Sequence, residues 1–287
     1  MGSVKGACEM IGISPSTYYY KPKGDRLEKS KQDSDIKAAI EKIREDLPVS
    51  GYRTLQQYLF REHGIKIGET RLRRIIRENA LQAKQVKRFV KTTWSEHDER
   101  VHPNLLPEMT VTDINQVWVT DLTYIRVLAG FVYLAAILDV YSRKVIGWAI
   151  SVSLDRQLTL AALAMAIQRR NPKPGVIHHS DRGVQYLCKD YVGMLEKNGF
   201  HMSCSRKGNP YDNAFAESFF KTLKSNEVDL QKYRDIWDVM DRVPEFLDDM
   251  YNERRVHSKL DYLSPNEFEE KNEENKKNGK SRPVVKL

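Results

Sequence analysis

Three carboxylates in this chain sit where a carboxylate is costly without a cation. Asp121 lies mid-segment in Trp118-Val119-Thr120-Asp121-Leu122-Thr123-Tyr124, among β-branched and aromatic neighbours. Burying an acid there is unfavourable unless it is paired or ligates a metal. Asp181 follows a short apolar run in His178-His179-Ser180-Asp181-Arg182-Gly183, and the carboxyl end of a strand in an open α/β sheet is where ligand groups collect. Glu217 falls in the helical stretch Asn213-Ala214-Phe215-Ala216-Glu217-Ser218-Phe219-Phe220, from which it can reach back to a sheet.

Converging carboxylates from distant positions suit phosphodiester chemistry. Cleavage develops charge on the leaving 3′ oxygen and needs an in-line nucleophile, and two Mg²⁺ ions about 3.5–4 Å apart stabilise both oxygens. Mg²⁺ takes oxygen ligands. Zinc would call for His and Cys clusters, and Cys8, Cys188 and Cys204 are far apart with no such spacing. Each acid also has a structural reading. Asp121 can be a satisfied strand residue, Asp181 can hold a turn with Arg182-Gly183, and Glu217 can be an ordinary helix acid.

The elements that must position these groups are legible as a change of period. Helical spacing runs through Asp35–Glu45 at Ile36, Ala39, Ile40 and Ile43. A helix over about Thr54–Arg61 and a third capped by Thr70 follow. Before them, Val4–Ile11, a Gly12-Ile13-Ser14 turn and a helix capped by Ser14 with Pro15 at its first position outline a partial helix-turn-helix. From Asn115 the pattern becomes strands: Gln116–Arg126, Phe131–Asp139 and Lys144–Ile150. A helix over Arg156–Arg169, a strand over Val176–His179, a helix over Lys189–Asn198, a strand over His201–Ser203 and a helix from Asn213 complete a mixed α/β sheet.

Composition narrows the partner. The 287 residues carry a net charge of +8, and 40% are hydrophobic, enough for a core. Between Arg71 and Lys91 stand Arg71, Arg73, Arg74, Arg77, Lys84, Lys87, Arg88 and Lys91 against the single acid Glu78. This block reads as tracking DNA phosphates, with a solvated helix face as the alternative. No signal peptide or membrane-spanning run is visible, so a soluble, intracellular protein with free thiols is expected.

The sequence resembles the DDE transposases of bacterial insertion sequences, specifically the second reading-frame product of the insertion-sequence-three family, and more distantly the retroviral integrase core. The segments that carry the resemblance are Trp118–Tyr124, His179–Tyr186 (HSDRGVQY), Asn209–Lys224 (NPYDNAFAESFFKTLK) and Tyr251–Phe268 (YNERRVHSKLDYLSPNEF). Thirty-five residues separate Asp181 and Glu217, which is the family's D(35)E spacing. The resemblance implies an RNase H-like α/β core with Asp121 and Asp181 on adjacent strands and Glu217 on a helix, acting as catalytic metal ligands. It also implies Mg²⁺ (or Mn²⁺), nicking at the element's 3′ ends, strand transfer and a circular intermediate.

The expected organisation is a partial helix-turn-helix-like segment (1–32), a helical DNA-binding domain (33–84), a linker (85–112), the catalytic core with its C-terminal helical motif (113–268) and a disordered tail (269–287). Lys221 and Lys224 share a helical face with Glu217; the resemblance to integrase-like enzymes implies a basic residue there that holds terminal DNA, with ordinary helix salt-bridging as the alternative. Arg254, Arg255, His257 and Lys259 form a basic cluster, read either as phosphate contacts or as a solvated face. Asn213 is a candidate helix cap. His179 reads as packing beneath Asp181, with a DNA contact as the alternative, and Asp139 as a structural acid pairing with its turn or Arg143. The partners implied are insertion-sequence ends and target DNA, further copies of the chain on paired ends, and an upstream reading-frame product, with localisation at the bacterial nucleoid. An RNase H-like nuclease without strand transfer and a non-enzymatic DNA-binding regulator remain the competing readings.

Overall fold

A computed structural model describes residues 4–19, 26–84, 102–206, 209–281 and 283–287, with the side chains of 26–30, 210 and 211 excepted. Lys87, Arg88 and Lys91 of the basic block, most of the expected linker, and Gly208 lie outside them. The chain forms two compact units, Met1–Ala83 and Lys84–Leu287.

The first unit is helical: α1 (Val4–Met10), α2 (Pro15–Tyr18), α3 (Arg26–Asp46), α4 (Tyr52–His63) and α5 (Glu69–Glu78). Gly12 takes the left-handed conformation (φ +68°) between α1 and α2, and the Ser14 side chain accepts from the Thr17 N–H, as the helix-turn-helix outline requires. Ile36, Ile40 and Ile43 of α3 meet a core completed by Leu55, Tyr58 and Leu59 of α4 and Leu72 and Ile75 of α5, all buried. Gly68, not Thr70, is the N-cap of α5, so that helix starts earlier than expected. An ion-pair cluster ties α5 to α3. Arg71 donates to Asp33 at 2.8 Å, and Arg74 bonds both Asp33 and Glu78. Burial acts to raise the Asp33 pKa, but the hydrogen bonds from Arg74 and Arg71 outweigh it and hold the carboxyl below its usual value.

The second unit runs β1 (Thr110–Val111), β2 (Val117–Val127), β3 (Gly130–Asp139), β4 (Val145–Ser151), α6 (Arg156–Arg170), β5 (Ile177–Ser180), α7 (Val184–Leu187), α8 (Lys189–Lys197), β6 (His201–Cys204), α9 (Ala214–Asn226), α10 (Ile236–Glu245), α11 (Pro265–Lys277) and β7 (Val285–Lys286). The main sheet has the order β4-β3-β2-β5-β6. Pairs β2–β3 and β3–β4 are antiparallel, and β2–β5 and β5–β6 are parallel. Both faces are covered. Helices α6 and α8 lie on one face over Trp118, Ala135, Ile137 and Ile146; α9, α10 and the turns after α10 lie on the other over Val119, Leu134, Ala136 and Leu138. The near-continuous apolar run of β3 reflects that double cover. At Gly147 a Cβ would come within 2.4 Å of the Ala162 carbonyl oxygen, so only glycine lets α6 lie this close to β4.

The described part of the expected disordered tail is instead folded, and within the expected linker Leu106 and β1 (Thr110–Val111) pack into the second unit. Ser264 caps α11 through a reciprocal capping box with Glu267, Phe268 and Asn272 are buried, and β7 pairs antiparallel with β1. The physical reason is ionic. Glu269, poor in apolar neighbours in the sequence, accepts from Arg170 at 2.8 Å and sits 3.4 Å from Lys144, contacts that only the tertiary fold creates.

Candidate active site and nucleic-acid interface

Val119 of β2 pairs in parallel register with His179 of β5. Asp121 and Asp181 each lie two residues further on, Asp121 within β2 and Asp181 just past the end of β5, so both leave the same end of this parallel pairing. Each carboxylate is partly fixed by its own backbone. Asp121 Oδ1 accepts from the Leu122 N–H at 2.8 Å, and Asp181 Oδ1 accepts from the Gly183 N–H at 2.9 Å. The Asp181 contact explains the glycine: a Cβ at Gly183 would meet Asp181 Oδ1 at 3.0 Å and the Gln185 side chain closer still.

Glu217 stands in the first turn of α9, and α9 packs on β2. Asn213 sets that approach in a way not anticipated. Its side chain makes no capping bond; it is buried, and its Nδ2 donates to the Thr120 carbonyl oxygen at 3.2 Å. Asn213 ends a one-turn 3₁₀ segment, Pro210–Asn213, and holds the expected N-cap position of α9 without a side-chain capping bond.

The Tyr186 phenol is buried within reach of the Asp121 and Asp181 charges. Burial raises its pKa well above the phenol range, and the nearby Asp121 and Asp181 charges raise it further. Those two charges are therefore both felt at one buried oxygen. Lys224 lies on the Glu217 face of α9, its Nζ 4.8 Å from the Tyr124 ring centre. Burial lowers its pKa, and the charges of Asp229 and Asp121 act in the opposite direction. Lys221, one turn earlier, is exposed.

His179 packs, as read from the sequence: it is fully buried, bonded to Ser203 Oγ (2.8 Å) and Ser205 Oγ (3.0 Å), and burial pushes its pKa down to about 4. Asp139 is structural and pairs with its turn, accepting from the Tyr141 and Ser142 N–H groups. Its charge partner is Arg170 at 3.5 Å, not Arg143, and it also accepts from the Asn115 N–H. In the basic cluster, Arg255 contacts Asn226 Oδ1 at 3.4 Å, Arg254 contacts Met250 Sδ, and His257 is half-buried against the Tyr251 ring. Lys259 is exposed. The adjacent Asn252 is buried: its Oδ1 accepts from the Val145 N–H and its Nδ2 donates to the Val145 carbonyl, both at 2.9 Å.

The basic block divides in a way its composition hid. Arg71 and Arg74 serve Asp33, while Arg73 sits 3.0 Å from Glu69 and 4.1 Å from the Tyr52 ring centre. Asp33 lies outside the sequence window in which the charges were counted. Arg77 and Lys84 are exposed.

The donor set is three carboxylates with no His or Cys directed among them, which suits a hard, oxygen-seeking divalent cation. Among the described residues no group of three or more His, Cys, Asp or Glu side chains is gathered closely enough to hold a metal ion. The fit therefore rests on the oxygen-donor chemistry of the three acids and on Asp121 and Asp181 emerging from the same end of the β2–β5 pairing.

Comparison with known proteins adds independent findings. An integrase core domain family matches residues 112–210, a second integrase core family matches 198–265, and an HTH-like domain family matches 31–89. The "Insertion element IS600 uncharacterized 31 kDa protein" of Shigella sonnei is 39% identical over 269 residues, 92% of this chain and 97% of its own. "Transposase InsF for insertion sequence IS3A" of Escherichia coli (strain K12) is 33% identical over 277 residues, covering 94% and 95%. The catalytic core of BIV integrase is similar over 57% of this chain and 99% of its own, with 15% identity and a TM-score of 0.40, too loose a likeness to argue from. With an integrase-type, RNase H-like core and an HTH-like N-terminal domain, the chain belongs to the insertion-sequence-three family of transposases.

Proposed function

We propose that the chain cuts the ends of its insertion sequence and joins them to target DNA, with Asp121, Asp181 and Glu217 holding Mg²⁺ or Mn²⁺. The observation that supports this reading is the parallel pairing of β2 with β5, from the same end of which Asp121 and Asp181 emerge, together with a helix bearing Glu217 and tethered to Thr120. When bound, the divalent ions stabilise the attacking and leaving oxygens of an in-line displacement. The chain's own residues do the positioning. Backbone N–H groups of Leu122 and Gly183 orient the two aspartates, and Asn213 holds α9 at the strand. Lys224, half-buried between Tyr124 and the Asp121 charge, offers a cation to the terminal phosphate, and Lys221 extends that face into solvent.

Duplex contacts by the helical unit fall to Arg77 and Lys84, with Lys87 and Arg88 continuing the basic run. Arg71, Arg73 and Arg74 act chiefly within the unit, and Arg254 and Arg255 beside the catalytic helix. Self-association on paired ends, with an upstream reading-frame product contributing further contacts, completes the assembly, because a transposition product needs two ends held together. Light scattering with and without end duplexes tests that assembly. A complex of one protein per duplex wherever strand transfer occurs would exclude it. No described helix is long and apolar enough to cross a membrane, in keeping with work at the nucleoid.

The deciding experiment is a strand-transfer assay on paired ends with Mg²⁺ or Mn²⁺. The wild type is expected to nick and join. Asp121→Asn, Asp181→Asn and Glu217→Gln are each expected to lose both steps while keeping fold and DNA binding. Nicking without joining would favour a nuclease, and full activity in any one variant would remove that residue from the site.

A further inference from the structure

Around α9 from the candidate metal ligands lies a second polar cavity, of about 30 Å³, lined by Arg143, Ser218, Thr222, His257 and the rings of Phe215 and Tyr251. Its charge is uncompensated. Arg143 is half-buried and stacks on the Phe215 ring, 5.0 Å from its centre, and makes no ion pair with a carboxylate among the described residues. Burial lowers its pKa, and the Tyr251 phenol acts in the opposite direction. Asp139, which also borders the cavity, is engaged by Arg170 and by backbone N–H groups. Opposite Arg143, the Nε2 of His257 is buried with no hydrogen-bond partner among the described residues. Burial, then the charges of Arg255 and Arg143, lower the His257 pKa to about 3, so the ring is neutral and can present an N–H. Ser218 supplies an exposed hydroxyl. A partly desolvated guanidinium, an orphaned imidazole nitrogen and a hydroxyl around a space sized for an oxygen or two describe an oxyanion site.

We infer that this cavity seats one backbone phosphate of DNA, next to the one being cut. The inference rests on the function proposed above. Ser218 follows Glu217 on α9 and so lies about 100° around a helix roughly 10 Å across. A strand passing over Glu217 thus brings a neighbouring phosphate to Arg143. The site makes no base contact available, so it would set the register of the strand and not its sequence.

The test is binding of end duplex by the full chain in EDTA, which separates binding from chemistry. Arg143→Gln and, as a variant that leaves the buried groups intact, Ser218→Asp are each expected to lower the slope of log K against log salt by about 0.9, one phosphate contact on B-DNA. Ethylation of a single phosphate should weaken wild-type binding and have no further effect on either variant. Inorganic phosphate forms the second arm, read by the His257 ring NMR signals. Saturable shifts with unchanged salt slopes in both variants would assign the site to the free ion and overturn the DNA role. Unchanged slopes and interference in folded variants, with no phosphate shift, would overturn the site altogether. A wild type that binds no duplex would defeat the proposed function, while the phosphate arm would still decide whether the cavity takes an oxyanion.

Discussion

Asn213 Nδ2 and the Thr120 carbonyl oxygen are 3.2 Å apart, and this one bond joins the helix that carries Glu217 to the strand that carries Asp121. Both residues are buried, so replacing Asn213 by Ala leaves the carbonyl unsatisfied at a cost of about 1–3 kcal/mol. A misplacement of about 1 Å in a catalytic group can cost about 10²-fold in rate. Asn213→Ala is therefore expected to slow nicking by up to that factor while duplex affinity in EDTA holds. Unaltered nicking in a folded variant would show that α9 keeps its place without the tether.

The N-terminal arginines should separate into two classes. Arg71→Ala with Arg74→Ala removes the partners of Asp33 and is expected to lower the melting temperature modestly, since partly exposed pairs contribute about 0.2–1 kcal/mol each. The salt slope of DNA binding should hardly change. Arg77→Ala with Lys84→Ala should do the opposite, reducing the slope by about 0.9 per contact with little change in melting. Salt titrations and melts on both double variants check this, and the reverse outcome would return DNA contact to Arg71 and Arg74.

The C-terminal helix should prove indispensable to the core. Arg170 is nearly buried and is shared by Glu269 and Asp139. Removing one partner of a buried pair typically costs about 3–5 kcal/mol. Glu269→Gln, or a chain ending at residue 264, is expected to be strongly destabilised by denaturant titration. A midpoint equal to wild type would make α11 an appendage.

The same cluster predicts a pH signature. Burial pushes Asp139 up to about 6; Arg170 pulls it down and Glu269 pushes it up. An unfolded aspartate titrates near about 3.9, so between these values the folded protein holds a proton the unfolded chain lacks. Stability from this group is thus present at low pH and lost as pH rises through about 6. Glu269 works oppositely: its pKa is lowered, burial notwithstanding, by Arg170 and Lys144, so its contribution fades as pH falls. The melting difference, Asp139→Asn minus wild type, should therefore become more positive from pH 4 to 7. A difference independent of pH would mean Asp139 is already ionised across that range.

Much of the catalytic core was legible because its signals are local. Alternating strands, the Gly12-Ile13-Ser14 turn and the Ser14 cap each depend on neighbours within a few residues. The order of motifs carried the family, and the family carried the pairing of Asp121 with Asp181. What stayed hidden was tertiary. Asp33 is 38 residues from Arg71, so a charge count over the block alone overstated its free cations. Glu269 is 99 residues from Arg170, so a polar C-terminal stretch read as disordered is held by a buried ion pair. Asn213 was recognised as important at the head of its helix, but its partner is a strand carbonyl 93 residues earlier.

Asn252 has one more consequence. β4 is the outer strand of the main sheet, and a bare strand edge is a template on which other chains can pair and aggregate. The Asn252 amide answers both outward backbone groups of Val145, donor and acceptor, as a neighbouring strand would. A single side chain thus counterfeits the next strand at that point and denies it to a stranger. In the multi-copy assembly proposed above, that guard would leave assembly to the nucleic acid and not to the sheet.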